Sequence, residues 1–117
     1  MSVTTKIHGI KNCDTCRKAI KIFAGKAIPH SYHDFRADGL SEQQLDRWLQ
    51  AVGWEKLLNR RGTSWRALPD DVKERIDADQ AKSLMLENPT LIKRPVFEVG
   101  DAVVVGFSKI EQEILGL

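Results

Sequence analysis

The chain has 117 residues, of which 42% are hydrophobic and 29% are charged. These proportions are ordinary for one globular domain and exclude an intrinsically disordered protein. No apolar run approaches the roughly 20 residues of a membrane-spanning helix, and Met1–Ile10 lacks the basic start and apolar stretch of a signal peptide. A formal net charge of +2 is too small to indicate nucleic-acid binding. We therefore expect a cytoplasmic protein with neither membrane nor nucleic acid as a direct partner.

The hydrophobic pattern predicts a β-α-β unit at the start of the chain. Thr5–Ile10 is β-branched and apolar at alternate positions, which is typical of a strand. Asp14–Ala24 repeats apolar residues at helical spacing, and Gly25 follows as a helix stop. A second strand is predicted over His30–Phe35. Cys13 therefore lies at the predicted start of the first helix.

A block of helices is predicted to follow. Ser41 and Gln44 have the spacing of a capping box, and the helix they open is closed by Gly53. Further helices are predicted over Trp54–Leu58, Pro69–Ile76 and Ala78–Glu87, with a polar loop over Asn59–Ser64. In the last of these helices we expect four buried side chains: Ala81, Leu84, Met85 and Leu86.

The remaining residues predict a β-β-α unit. Val96–Val99 and Ala102–Val105 are apolar runs joined by Gly100-Asp101, a hairpin signal. Ser108–Leu115 predicts a closing helix with Ile110, Ile114 and Leu115 on one side. The order β-α-β, helices, β-β-α is that of an α/β thioredoxin-like fold with an inserted helical block of about 50 residues. We predict a single domain over residues 1–117, with the helical insertion at about 41–88.

Cys13 and Cys16 form a Cys-Asp-Thr-Cys motif and are the only cysteines. Two cysteines cannot supply four zinc ligands, and the three histidines lack finger-like spacing. A disulfide framework needs more cysteines and a secretory signal. A Cys-x-x-Cys motif shortly after a strand predicts a redox-active pair with no metal. Cys16 could equally be a small core residue.

Several segments together resemble one family. Gly9–Ala19 resembles the active-site loop of the ArsC/Spx family, and Leu57–Arg60, Met85–Pro89 and Ile92–Val96 match further landmarks. The segments Gly-Ile-Lys-Asn-Cys-Asp-Thr and Leu-Asn-Arg-Arg-Gly-Thr are most similar to its YffB-like subgroup. The resemblance covers essentially the whole chain and implies a cis-proline, Pro95, facing the active-site cysteine.

The resemblance also implies an anion-binding site. Arg94, beside Pro95, matches an arginine of the reductases that contacts anions. Arg60 matches a second such arginine, with Arg61 or Asn59 as alternatives. An arginine side chain binds a carboxylate or an oxyanion with the same geometry, so charge alone does not choose the ligand.

Other positions bear on the substrate. Cys13 matches the nucleophile of the family, and Cys16 stands where many arsenate reductases have serine and where the redox regulators have a second cysteine. Asn12 forms the turn before the helix or donates to the bound anion. A third arginine of the arsenate reductases follows the second hairpin strand, where this chain has Gly106. This departure argues against arsenate as the natural substrate.

The chemistry of Cys13 can be argued from its position. A free cysteine has a pKa of about 8.5, and only its thiolate is nucleophilic. Unpaired N–H groups at a helix N-terminus lower the pKa, and cations from Arg94, Arg60 and either Lys11 or Arg17 would act in the same direction if they converge. The carboxylate of Asp14 in the first turn opposes them.

Two functions from different classes follow. The first is a cytoplasmic thiol-dependent reductase in which Cys13 forms a mixed disulfide with glutathione, the co-substrate. Arsenate or a disulfide is the oxidant, and glutathione, glutaredoxin or Cys16 resolves the intermediate. No bound cofactor is expected. The alternative is a Spx-like regulator that binds RNA polymerase and uses Cys13–Cys16 as a redox switch.

Overall fold

The computed structural model describes residues 4–117, so the first three residues of the predicted domain lie outside the described residues. The chain forms two compact units. The first joins the residues up to Gly39 with Arg94–Leu117, and the second comprises Leu40–Lys93. The predicted helical block falls inside the second unit. Within residues 4–117, no helix is long and apolar enough to cross a membrane.

The first unit is built on a four-stranded sheet of order β2-β1-β3-β4. The strands are β1 (Thr5–Gly9), β2 (His30–Asp34), β3 (Val96–Val99) and β4 (Ala102–Val105). β1 pairs parallel with β2 and antiparallel with β3, and β3 pairs antiparallel with β4. Helix α1 (Asp14–Gly25) connects β1 to β2. This arrangement confirms the thioredoxin-like fold class predicted from the sequence.

The core of the first unit lies on the face of the sheet that packs against α1. Ile7 in β1 is in register with Tyr32 in β2 and Phe97 in β3, which places these three residues on one face. Phe23 of α1 stacks on Phe97 with ring centroids 5.8 Å apart. The buried cluster consists of Ile7, Ala19, Phe23, Phe97, Val104 and Phe107. This packing fixes α1, and therefore the start of α1, against the end of β1.

The second unit is helical. Its elements are α2 (Glu42–Val52), α3 (Trp54–Leu57), α4 (Thr63–Arg66), α5 (Asp70–Glu74), α6 (Ala78–Glu87) and a 3-10 helix (Pro89–Leu91). The Ser41 hydroxyl accepts from the Gln44 N–H at 3.1 Å, so the predicted cap of α2 is confirmed. The buried hydrophobic residues of the second unit are Leu45, Trp48, Leu57, Leu58, Ala81, Met85, Leu91 and Ile92.

The polar loop predicted over Asn59–Ser64 is wrong at its end. Thr63 and Ser64 open the short helix α4, and Gly62 is the residue before it. The Ser64 hydroxyl is hydrogen-bonded to the Thr90 hydroxyl, which is 26 residues away in the chain. A tertiary contact of this kind leaves no periodic signal in the local sequence.

The prediction of buried side chains in α6 is also wrong in part. In α6 only Ala81 and Met85 are buried, whereas Leu84 and Leu86 are half-buried. The buried stripe of α6 is therefore a single i, i+4 pair. In the closing helix α7 (Lys109–Ile114), two of the three predicted apolar residues, Ile110 and Ile114, are each 66% exposed. Helix α7 is only six residues long, and Phe107, Leu115 and Leu117 flanking it contact the core instead.

Candidate active site

Cys13 lies at the N-terminus of α1, as the sequence predicted. It is the capping residue of this helix, with an extended backbone (φ −106°, ψ 119°). Its N–H donates to the Ile10 carbonyl at 3.1 Å, and its carbonyl accepts from the Arg17 N–H at 3.0 Å. The side chain is half-buried. The thiol thus lies beside the N–H groups that the first turn of a helix leaves without partners.

The surroundings of Cys13 favour its thiolate. Burial by itself raises the pKa of this thiol, but four other influences outweigh burial and the pKa is lowered. They are the Cys16 N–H, the Cys16 thiol, the positive charge of Arg94 and the Thr15 N–H. Each of them interacts more favourably with a negative sulfur than with a neutral thiol. Cys13 is therefore the more acidic thiol of the motif.

Cys16 has the opposite character. Its side chain is 1% exposed, and burial together with the negative charge of Cys13 raises its pKa to about 12. Both cysteines are free thiols. Cys16 is thus a neutral hydrogen-bond donor to the Cys13 sulfur and, at the same time, part of the buried interior.

The segment that enters β3 also contributes to the site. The Arg94-Pro95 peptide bond is cis, as the resemblance implied. Pro95 is buried and its carbonyl accepts from the Gly106 N–H at 2.9 Å. Arg94 is half-buried, and its charge acts on Cys13. The first unit therefore brings together Cys13, Cys16 and Arg94.

The two polar neighbours of Cys13 are both exposed. Asn12 lies in the turn before α1, and because Cys13 itself caps the helix, Asn12 acts as a turn residue there. Asp14, which we expected to oppose the thiolate, accepts a hydrogen bond from Arg17 Nη2. Both side chains of this pair are largely exposed, so water screens the pair strongly.

Asp34, at the end of β2, holds the loop that carries Asn12 and Cys13. Its carboxylate accepts from the N–H groups of Lys11 at 2.8 Å, Arg36 at 2.9 Å and Ala37 at 3.0 Å. Burial raises the pKa of Asp34, but these N–H donors outweigh burial and lower it. Sequence reasoning did not single out this residue.

Tyr32 is a second residue that sequence reasoning missed. It is 38% exposed and belongs to the face of the sheet that packs against α1. Burial, followed by the negative charges of Asp34 and Cys13, raises its pKa to about 12. Tyr32 lies beside Ile7 because the first two strands pair in parallel. The hydrophobic alternation of β2 is too weak to predict the register of that pairing from the sequence.

Arg60 belongs to the second unit. Its guanidinium carbon lies 5.8 Å from the centroid of the Trp54 ring and 5.7 Å from that of Trp65, which is cation–π geometry. The loop that carries Arg60 is anchored by the Asn59 N–H, which donates to the Leu91 carbonyl at 2.7 Å. Arg60 is exposed and lies against two indole rings, whereas Arg61, also exposed, makes no such ring contact within residues 4–117.

The site offers an acidic nucleophilic thiol, a neutral thiol donor and a cation. These groups suit nucleophilic attack on a disulfide sulfur or an oxyanion of a redox-active element. Among residues 4–117, no group of three His, Cys, Asp or Glu side chains could hold a metal ion.

A Cys-x-x-Cys motif at the start of the first helix, with a cis-proline before the third strand, defines a thioredoxin-like protein. The family model described as ArsC family matches residues 8–115. The chain belongs to the ArsC family, and the resemblance noted in the sequence is confirmed.

Similar structures and proteins agree with this assignment. The YffB (PA3664) protein is 37% identical with a TM-score of 0.86, covering 94% of this chain and 96% of its own. An arsenate reductase (ArsC) related protein from Brucella melitensis is 45% identical with a TM-score of 0.80, covering 100% and 97%. An uncharacterized protein of Haemophilus influenzae is 43% identical over 92% of this chain and 94% of its own.

A more distant relative belongs to the regulatory branch. Global transcriptional regulator Spx 2 of Lactococcus lactis is 28% identical, over 90% of this chain and 80% of its own length. The similarity therefore reaches both reductase-related proteins and a transcription regulator.

Proposed function

We propose that this protein is a thiol-dependent oxidoreductase in which the Cys13 thiolate forms a mixed disulfide with glutathione. The observation that carries the proposal is the lowered pKa of Cys13 at the start of α1. Thiol–disulfide exchange proceeds through a thiolate, so acidity is the property this reaction needs. Because glutathione is abundant in the reducing cytoplasm, we place the reaction in that compartment.

The reaction with a glutathionylated thiol has two steps. The Cys13 thiolate attacks the glutathione sulfur, an S–S bond forms between them, and the other thiol leaves as a thiolate. A second glutathione thiolate then attacks the glutathione sulfur of the mixed disulfide and leaves as oxidised glutathione, which restores the Cys13 thiolate. In total, the mixed disulfide of the substrate is reduced to a free thiol, and the two glutathione sulfurs are joined in oxidised glutathione.

The second step favours an external thiol over Cys16. Burial is the largest influence that raises the pKa of the Cys16 thiol, and it persists in the mixed disulfide, so this thiol is a poor source of thiolate. Cys16 is also 1% exposed. We therefore assign the resolving step to glutathione or glutaredoxin, and to Cys16 the role of a donor to the Cys13 sulfur.

The contacts to the substrate follow from the family match. We assign Arg94 and Arg60 to its anionic groups, with Asn12 and Pro95 beside the reacting sulfur. Gly106 has φ of 95°, a backbone conformation that side chains other than glycine rarely adopt. Position 106 therefore offers no third cation for an oxyanion, which supports a disulfide over arsenate as the oxidant.

The test is NADPH oxidation coupled through glutathione reductase, with either arsenate or a glutathionylated peptide as oxidant. We expect turnover with the peptide, none in Cys13→Ser, and turnover preserved in Cys16→Ser, the matched control. Turnover with arsenate as the oxidant, and none with the glutathionylated peptide, would make the protein an arsenate reductase. Equal turnover in the wild type and Cys13→Ser would overturn the proposal.

The similarity to a Spx regulator supports one alternative, a redox switch formed by Cys13 and Cys16 that governs binding to RNA polymerase. A pull-down with the C-terminal domain of the polymerase α subunit, using oxidised and reduced protein, distinguishes the two. Binding that depends on the oxidation state, without glutathione-dependent turnover, would favour the regulator.

A further inference from the structure

A groove with a volume of about 250 Å³ lies beside the buried thiol of the motif. It runs between α1, the loop after β1 and strand β2. Its apolar wall is formed by Ile10, Ile20 and Cys16. Whole small-molecule ligands occupy pockets of about 300–1,000 Å³. This groove therefore suits one arm of a ligand rather than a complete cofactor.

The rest of the lining is polar and carries only positive charge. Lys11, Asn12 and Arg17 line the groove, and all three are exposed. Arg17 also pairs with Asp14, but both side chains are largely exposed, and such surface pairs contribute little. An incoming carboxylate can therefore share or replace Asp14 as the partner of Arg17.

Tyr32 supplies a neutral donor on the β2 side of the groove. Since its pKa is raised to about 12, the hydroxyl remains protonated at neutral pH. Among residues 4–117, the Tyr32 hydroxyl has no hydrogen-bond partner in the protein. A half-exposed phenol of this kind is available to donate to a ligand.

We propose that this groove binds a carboxylate-bearing arm of a glutathione-class peptide while the sulfur of that peptide reacts at Cys13. Lys11 and Arg17 hold the carboxylate, the Tyr32 hydroxyl donates to the peptide, and the two isoleucines pack against its aliphatic part. The inference rests on the proposed function and adds the part of the substrate that is recognised.

The test compares two disulfides that differ in charge. Oxidised glutathione carries carboxylates, whereas bis(2-hydroxyethyl) disulfide is neutral and reports the reactivity of Cys13 alone. We expect Lys11→Gln/Arg17→Gln to slow the reaction with oxidised glutathione about tenfold and that with the neutral disulfide less than about twofold. Tyr32→Phe should slow the reaction with oxidised glutathione and leave the reaction with the neutral disulfide unchanged. Lys18→Gln, an exposed lysine of α1 outside the groove lining, is the matched control.

Two results would overturn the inference. One is an equal change for both disulfides in the double variant. The other is that Lys18→Gln slows the reaction with oxidised glutathione as much as the double variant does. The effect would then come from the overall positive charge of the surface and not from the groove.

Binding without reaction separates this inference from the proposed function. S-methylglutathione cannot form a disulfide, so its binding requires only a site. We expect it to shift the amide NMR signals of Lys11, Asn12 and Arg17 in the wild type and not in the double variant. If these shifts are absent in the wild type, the proposal that the groove binds the peptide is wrong. If the shifts are present but oxidised glutathione forms no adduct with Cys13, the groove binds the peptide and the proposed function is wrong.

Discussion

Gly9 at the end of β1 lies directly against the side chain of Cys16 in α1. A Cβ atom on Gly9 would overlap Sγ of Cys16 and lie 3.2 Å from its Cβ. The strand and the helix approach this closely because position 9 has no side chain. Gly9 therefore helps to fix the depth of Cys16 and its distance from the Cys13 sulfur.

Gly9→Ala should destabilise the protein by about 1–3 kcal/mol, because overpacking a filled interior forces neighbouring atoms to move. Thermal or urea unfolding at pH 7 measures this change. Gly25→Ala is the control, since a Cβ there meets no atom within 4 Å. It should leave stability within about 1 kcal/mol of the wild type or raise it. Equal effects of the two substitutions would contradict the close contact.

Arg94→Gln should raise the pKa of Cys13, because Arg94 is the cation that lowers it. The measurement is the rate of iodoacetamide labelling against pH. In the wild type its inflection should lie below the ordinary thiol value of about 8.5. Lys93→Gln, at the exposed neighbouring position, should leave the inflection in place. A wild-type inflection at the ordinary value would refute the acidic thiol.

Two substitutions of Cys16 separate its donor role from a resolving role. Cys16→Ser keeps a hydrogen-bond donor and should preserve both the acidity of Cys13 and glutathione-dependent turnover. Cys16→Ala removes the donor, so the pKa of Cys13 should rise and labelling at neutral pH should slow. If both variants lose turnover equally while Cys13 keeps its acidity, Cys16 is the resolving thiol.

Asp34→Asn should destabilise the protein by about 1–3 kcal/mol at pH 7, since a buried carboxylate that accepts three N–H bonds loses its charge. The pKa of Asp34 is lowered in the folded protein. Its stabilisation is therefore complete above the ordinary value of about 4 and is lost as pH falls through the lower folded value. Urea unfolding from pH 7 to pH 3 should show the two proteins converging. Glu113→Gln, at an exposed position, should show no such convergence.

The elements that the sequence predicted well are those with strong local signals. The hairpin Val96–Val105 and helix α6 have the predicted limits, because an apolar alternation and a periodic helix bounded by turn residues are local patterns. Helix α4 was not predicted, and no signal in the sequence indicated the exposure of Ile110 and Ile114. Both depend on which neighbours cover a short segment, which local patterns do not contain.

The sequence by itself determined the position of Cys13 at a helix start, the Cys-x-x-Cys spacing and the family, since these depend on residue types and their order. Only the tertiary structure decided that Cys16 is buried and weakly acidic, that Asp34 holds the loop and that Tyr32 faces the groove. Burial and charge proximity act through space between residues far apart in the chain. The opposite acidities of the two thiols, on which the proposed chemistry depends, are consequences of packing.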